Sequence, residues 1–584
     1  MPKATVTNLF DSIKQHENTY VSIMAFIVGL LAGGGAILFH YMIEAVQWLF
    51  FGGFGELFDL VETAPAYKKL LVPAAGGLIV GPIIYYFARE AKGHGVPEVM
   101  SAVALRGGVI RKRVAGIKSL ASAISIGTGS SVGSEGPIVQ IGSAMGSAIG
   151  QALNFPGARM KSMVACGAAG GIAAIFNAPI AGVMFSLEII LGDIAFSTFS
   201  PLVISAVTAT VISRAWWGDE PTLLVPSYEL VSPWEIPAYI LLGFIAAAVA
   251  VFFSKSLYRC EDFFDERVNM PEYLKPAIGG LLIGAIGLLV PQIYGVGYHT
   301  IDLALFGELP LYLLALLLIM KIVATSLSLG SGSSGGVFAP SLFIGAVMGG
   351  AFGKIAHSLF PALSATSGAY ALVGMGAVVA GTTYAPITAI MIIFEMTSDY
   401  EIILPLMLTC ITSTIFASFL SKESIYTLKL ARKGIKLQAG KEVNILKSIL
   451  VKDAMAKGAQ TVPENMTLRK FNKFLEKSKH ANFPVVDSEG LISGIISFQD
   501  FREAVFESGL EDLIVVKELA TEKVITITEG ENLDDALSKI GTRNIEQLPV
   551  VKKENPRKII GMLSRRDIIS AYNKGLLEHR LREQ

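Results

Sequence analysis

Two glycine-rich stretches with the same punctuation interrupt apolar sequence: KSLASAISIGTGSSVGSEGP at 118–137 and KIVATSLSLGSGSSGGVFAP at 321–340. Lys118 aligns with Lys321, Ala121 with Ala324, Ser125 with Ser328, Gly127 with Gly330, Gly129 with Gly332, Gly133 with Gly336 and Pro137 with Pro340. The register continues through Gly142 with Gly345 and Gly146 with Gly349. NAPIAGVMFSLE (177–188) repeats as YAPITAIMIIFE (384–395), and GHGVP (93–97) repeats more weakly as GVGYH (295–299). Two halves of about two hundred residues, with apolar segments broken at matching places, have the architecture of secondary transporters, which hold substrate where broken segments meet.

The chain is 52% hydrophobic and 16% charged over 584 residues, too apolar for a water-soluble globule of that size. Apolar runs occur at 20–51, 69–88, 159–191, 201–213, 236–254, 275–293, 309–329, 337–355 and, with breaks, 368–420, several too short or too broken by Gly and Pro to cross a bilayer alone. The first reads as a retained transmembrane helix rather than a cleaved signal peptide. Cys166, Cys260 and Cys410 have neither pairing nor metal-type spacing and read as small buried residues. Net charge is zero, but roughly half of both signs lie after residue 434, which marks a boundary to a segment of ordinary soluble composition. The fold class expected is an all-α polytopic membrane domain of inverted repeats over 1–433 (repeats at 20–215 and 235–433). A linker at 434–447, an α/β region at 448–576 and a tail at 577–584 follow.

A helix that starts inside a membrane exposes N–H groups with no intrahelical partner, and its dipole puts partial positive charge there. Irregular backbone at that depth must be buried or line a cavity. Gly133, Gly136, Gly335 and Gly336 let the chain turn sharply, and Pro137 and Pro340 suit the first turn of a helix. Two such starts make a site for a small anion. The later glycines, Gly142, Gly146, Gly345 and Gly349, at four-residue spacing, read as helix packing contacts. Packing gives no reason for Glu135, and a mid-membrane carboxylate defaults to function. Beside free N–H groups it is a tethered competitor of a permeating anion, and a proton carrier when it leaves.

These residues resemble the CLC family of chloride channels and chloride/proton antiporters: GHGVP, GSEGP and GGVFAP stand in the family's order, followed by a tyrosine in SKESIYTLKLARKG. The resemblance implies that Glu135 is the gating and proton-carrying glutamate. It implies an anion-binding set of His94, Gly95, Val96, Ser134, Gly136, Val337, Phe338, Ala339 and Tyr426, the last donating its hydroxyl, with electrostatic support from Lys118. Lys321 either acts likewise or pairs with a carboxylate. His94 stands where many members have serine, and two readings are open: the ring donates to the anion, or it turns away and only backbone lines the pore. At the inner proton site Glu188 matches the family's first glutamate, while Ile189 replaces the second. That replacement leans the expectation to a passive chloride channel, the alternative being a chloride/proton antiporter in which His94 stands in for the missing group. The fluoride-exporting branch fits less well at Pro137.

The segment after 448 contains FPVVDSEGLISGIISFQDF and LPVVKKENPRKIIGMLSRRDII, each after an amphipathic stretch (468–478 and 533–541), and resembles a tandem pair of CBS domains. Two readings stand for Ser497 with Asp500 and Ser564 with Asp567: an adenine-nucleotide site for ATP, ADP or AMP, or helix N-caps in a capping-box pattern. The resemblance further implies a homodimer in a lipid bilayer, chloride as substrate with other anions and protons open, and a cytoplasmic C-terminal region. No enzyme chemistry, required cofactor, metal or nucleic acid is expected. A CBS-regulated cation channel would need acidic pore-lining residues, which are scarce here, and a nucleotide receptor would bind nucleotide without anion flux.

Overall fold

Prolines and glycines fix where the helices start and stop, and they do so twice. The first half comprises α1 (Glu17–Phe51), α2 (Ala66–Phe87), α3 (Val96–Leu105), α4 (Arg113–Gly127), α5 (Glu135–Ala152), α6 (Gly157–Phe176), α7 (Pro179–Phe185), which runs on as a π-helical turn Ser186–Leu191, and α8 (Phe196–Trp217). The second comprises α9 (Ile236–Asp262), α10 (Lys275–Gly287), α11 (Tyr298–Leu305), α12 (Leu311–Gly330), α13 (Phe338–Leu359), α14 (Ser367–Thr383), α15 (Pro386–Thr397) and α16 (Ile403–Leu420), and α17 (Ile425–Arg432) follows. Each helix of the first half has its counterpart eight places later. The computed structural model describes residues 17–193, 196–219, 221–223, 225–226, 228, 231–433, 435, 446–447, 449–476, 478, 482–497, 512–543 and 545–582. They fall into two compact units, Met1–Leu437 and Gln438–Gln584.

Packing in the first unit follows the duplication. Helix α5 lies on α6 as α13 lies on α14, while α2 packs on α10 and α7 on α15 across the two halves. Glycine makes these approaches possible. A Cβ on Gly142 would strike the Gly167 carbonyl and one on Gly167 the Gly142 carbonyl, and Gly345 and Gly374 stand in the same mutual relation. Between the halves, a Cβ on Gly77 would strike the Pro276 carbonyl and one on Gly280 the Pro73 carbonyl. These are backbone-to-backbone contacts of the small-residue kind that hold helices together where lipid offers no hydrophobic driving force.

Among the described residues seven helices are long and apolar enough to cross a membrane, within α1, α2, α8, α9, α12, α13 and α16. Large apolar side chains such as Leu38, Leu404 and Phe419 lie exposed on them, as a lipid-facing surface requires. The apolar runs at 159–191 and 368–420 are broken: left-handed residues Asn177 and Tyr384, each followed by Ala-Pro, part α6 from α7 and α14 from α15, and left-handed Ser398 parts α15 from α16. Cys166, Cys260 and Cys410 are free thiols.

The second unit has two small sheets. Strands β1 (Ala456–Lys457), β2 (Val462–Pro463), β3 (Asn482–Val486), β4 (Ile492–Ser497), β5 (Ile527–Thr528), β6 (Gln547–Val551) and β7 (Ile559–Ser564) are joined by α18 (Leu468–Leu475) and α19 (Leu533–Arg543), and α20 (Arg565–Arg582) ends the region. The orders are β2-β3-β4 and β1-β7-β6-β5, so the first half lends β1 to the second half's sheet. Alternating strand residues and apolar helix positions fill two cores, Phe483, Val485 and Ile496 with Phe471 of α18 in one and Leu548, Val550 and Leu563 with Leu533 and Ile540 of α19 in the other.

Filling either glycine interlock must force backbones apart. Gly142→Val and Gly345→Val are each expected to destabilise by at least about 1–3 kcal/mol through overpacking. Gly34→Val, at a position with nothing within 4 Å, should leave the thermal unfolding midpoint in detergent near that of the unaltered protein.

Candidate functional site

The two glycine-rich loops meet and bond to each other. Gly133 N–H donates to the Gly336 carbonyl at 2.9 Å and Gly336 N–H to the Gly133 carbonyl at 2.6 Å. Beside this pair, Ser328 Oγ accepts from Ser131 N–H at 3.0 Å and Ser125 Oγ from Ser334 N–H at 3.3 Å. Ser131 aligns with Ser334 and Ser125 with Ser328, so the repeat alignment exchanges the two contacts, as a local two-fold axis between the loops requires. Gly93 joins the same framework, donating to Ser333 O at 3.1 Å and accepting from Gly335 N–H at 3.3 Å. Buried loop backbone is thereby satisfied by the opposite loop.

Around this framework three buried helix starts converge: α3 after Gly95, α5 after Ser134 and α13 after Val337, none with a hydrogen bond from its N-cap side chain. Gly95 adopts φ +81°, which its lack of a Cβ permits. A Cβ on Gly136 would strike the His94 carbonyl and lie 3.1 Å from Gly336 Cα, so only glycine lets α3, α5 and the second loop come this close. Val96, Gly136, Val337, Phe338 and Ala339 are all buried here. The first-turn N–H groups of such helices, with the positive dipole end, form a place for an anion.

Glu135 takes that place at α13. It is 1% exposed, its Oε2 accepts from Ala339 N–H of the opposite repeat at 3.4 Å, and its Oε1 is buried without a partner. The carboxylate therefore leans on the start of α13 with one long hydrogen bond across the repeats and one oxygen without a partner, beside the first-turn N–H groups of its own helix.

The basic side chains sit on carbonyls. Lys118 Nζ donates to Ala91 O at 3.0 Å and Gly93 O at 2.7 Å. Lys321 Nζ donates to Ile293 O at 3.2 Å, Gly295 O at 2.9 Å and Val296 O at 3.3 Å, and lies 4.7 Å from the Phe343 ring centre. Of the two sequence readings of Lys321, the carbonyl cluster rather than a carboxylate is its hydrogen-bonded partner. Each lysine neutralises the carbonyls just before a helix start, α3 or α11.

His94 and Tyr426 are both 2% exposed, with ring centres 5.7 Å apart. The His94 ring is held from one side: its Nε2 lies 3.1 Å from the Tyr258 hydroxyl, which donates to Ile425 O at 2.5 Å, while Nδ1 is buried without a partner. Tyr258 had no sequence signal, being one tyrosine within a long apolar helix.

Glu188 and Ile189 lie on the π-helical turn after α7, which packs on α3 and α6. Ile189 is buried in the apolar core. Glu188 caps α15, its oxygens accepting from Ile387 N–H at 3.3 Å, Thr388 N–H at 2.8 Å and Thr388 Oγ1 at 2.7 Å. Glu395 does the same for α7, accepting from Ile180 N–H at 2.9 Å and Ala181 N–H at 2.7 Å. The alignment of NAPIAGVMFSLE with YAPITAIMIIFE already sets these two glutamates opposite each other, which is the signal that could have found Glu395.

In the second unit Ser564 and Asp567 form a reciprocal cap at the start of α20: Asp567 Oδ2 accepts from Ser564 N–H at 2.8 Å and Oγ at 2.6 Å, and Asp567 N–H donates to Ser564 Oγ at 3.2 Å. This is the capping-box reading of the pair. Ser497 ends β4, and Asp500 lies outside the described residues.

Comparison with known proteins aligns with this geometry. A family profile described as voltage gated chloride channel matches residues 76–418, and one described as CBS domain matches 451–507 and 516–574. A ClcB-like chloride channel protein of Ralstonia nicotianae is 38% identical over 416 residues, covering 70% of this chain and 97% of that one. The H(+)/Cl(-) exchange transporter ClcA of Vibrio parahaemolyticus is 36% identical over 425 residues, covering 70% and 89%. The solved structure of a slow cyanobacterial Cl-/H+ antiporter superposes with a TM-score of 0.65 at 27% identity, covering 71% of this chain and 97% of that one.

The reciprocal glutamate caps generate a paired expectation. Glu188→Ala and Glu395→Ala each strip a charged acceptor from two backbone donors, and each should cost about 2 kcal/mol, read as a lowered unfolding midpoint in detergent. Equal midpoints for variants and parent would show that neither cap bears on stability.

Proposed function

The chain belongs to the voltage gated chloride channel family, and from that premise we propose that it exchanges chloride for protons across a membrane. The observation that carries this reading is Glu135, a buried carboxylate resting on Ala339 N–H at the start of α13 with its second oxygen unpartnered. Ionised, it holds the position an anion would take. Protonated, it loses its attraction for the helix start, releases the place to chloride and carries its proton away. One group thus links the two ions. In this reading the first-turn N–H groups of Val337, Phe338 and Ala339, the starts after Gly95 and Ser134 with Val96 and Gly136, and the Tyr426 hydroxyl hold chloride, while Lys118 keeps the potential positive by screening carbonyls.

Ile189 draws the sequence expectation toward a passive channel, since it removes the second inner carboxylate. Exchange is the better-supported alternative: the Vibrio relative is named an exchange transporter, and the superposed cyanobacterial protein is titled an antiporter. The Ralstonia relative is named a channel, so naming alone does not carry the choice. A carboxylate that must be protonated to leave its place accounts for coupling without the second glutamate.

Purified protein in liposomes, with chloride efflux and proton uptake recorded together, tests the reading. The expected result is proton uptake driven uphill by the chloride gradient, abolished in Glu135→Gln while chloride still flows. Chloride efflux without proton movement in the unaltered protein would instead make it a channel.

A further inference from the structure

We infer that His94 is a proton-accepting station of this pore rather than a chloride ligand, occupying the role left open by Ile189; this rests on the exchange reading above. The Tyr258 hydroxyl lies 2.5 Å from Ile425 O, and two oxygens that close need a hydrogen between them. Tyr258 has only one, so it donates to Ile425 and faces His94 with a lone pair. The contact at 3.1 Å is then made by an Nε2–H of His94. A neutral imidazole carries a single ring proton, which fixes Nδ1 as a bare lone pair. That atom is buried and has no partner.

The consequence separates the two roles. A lone pair cannot donate to chloride and repels it, so the neutral ring contributes nothing attractive to an anion. What it can do is accept a proton, against the opposition of its burial and of the neighbouring lysines: Nδ1 takes the proton, Nε2–H stays on Tyr258, and release from Nδ1 restores the starting tautomer. The charged groups whose fields reach the ring are Lys118 from α4, Lys429 from α17 and Lys433 beyond it, while Tyr258 and Tyr426 face it as neutral hydroxyl-bearing rings. Three ammonium groups repel an imidazolium, and a chloride ion in the neighbouring site offsets that repulsion. A proton on His94 is therefore held together with chloride, which ties proton loading to anion loading.

His94→Gln tests the inference, because the glutamine amide keeps a donor for Tyr258 and removes the titrating nitrogen. In liposomes the ratio of protons to chloride moved should fall by at least about tenfold relative to the unaltered protein, with chloride efflux still measurable. A ratio equal to that of the unaltered protein overturns the relay. If His94→Gln does not yield folded protein, Tyr258→Phe keeps the ring and frees the imidazole to place its proton on Nδ1. The ratio should then fall in the same direction, and an unaltered ratio overturns the inference equally. Failure of the exchange reading is distinguishable, since it shows as chloride flux without proton movement in the unaltered protein.

Discussion

The reciprocal hydrogen bonds between Gly133 and Gly336 are the constraint on which the rest of the membrane unit depends. Two loops interrupt helices deep in an apolar fold, where water is not there to satisfy their backbone, and each supplies the partners the other lacks. A duplicated sequence folded about a two-fold axis solves this, because like loops meet at the axis and present complementary donors and acceptors. The serine pairs Ser125 with Ser334 and Ser131 with Ser328 extend the same solution outward. Close approach follows from the absence of side chains. Once the loops are locked, the helices they launch have fixed directions, and the starts of α3, α5 and α13 are brought to one place.

Charge is distributed to match. The carbonyl-rich ends before the helix starts are covered by Lys118 and Lys321, and the starts of α7 and α15 by Glu395 and Glu188. Those four groups act as fixed counter-charges for backbone dipoles. Glu135 differs from the other glutamates in having one long hydrogen bond and one orphan oxygen where they have two or three good ones. The same side chain type is thus a permanent cap in two places and a weakly held occupant in a third. That difference in satisfaction is the physical basis for assigning movement to Glu135 alone.

Much of this was legible in the sequence. The duplication, the helix breaks at the glycine-rich stretches and the oddity of Glu135 follow from residue type and spacing, and the aligned lysines prove to do the same job. Contacts between side chains from distant helices were not legible. Nothing about residue 258 announces that it will hold the His94 ring, because the contact spans 164 residues of chain and depends on how α9 passes α3. The partner of Lys321 was open for a similar reason: a lysine's choice between carbonyls and a carboxylate is settled by three-dimensional placement. That some apolar runs were too broken to cross alone was legible from their glycines and prolines, but where each break falls was not, since it is set by left-handed residues such as Asn177 and Tyr384 before Ala-Pro.

The central claim is that the Glu135 carboxylate and a halide compete for the same helix start. Crystals of the parent protein and of Glu135→Gln, both grown in bromide at neutral pH, would measure this through the anomalous signal of the ion. The account predicts a bromide peak against the N–H groups of Phe338 and Ala339 in the variant that is absent or much weaker in the parent. Equal occupancy at that position in both, or none in either, would contradict it.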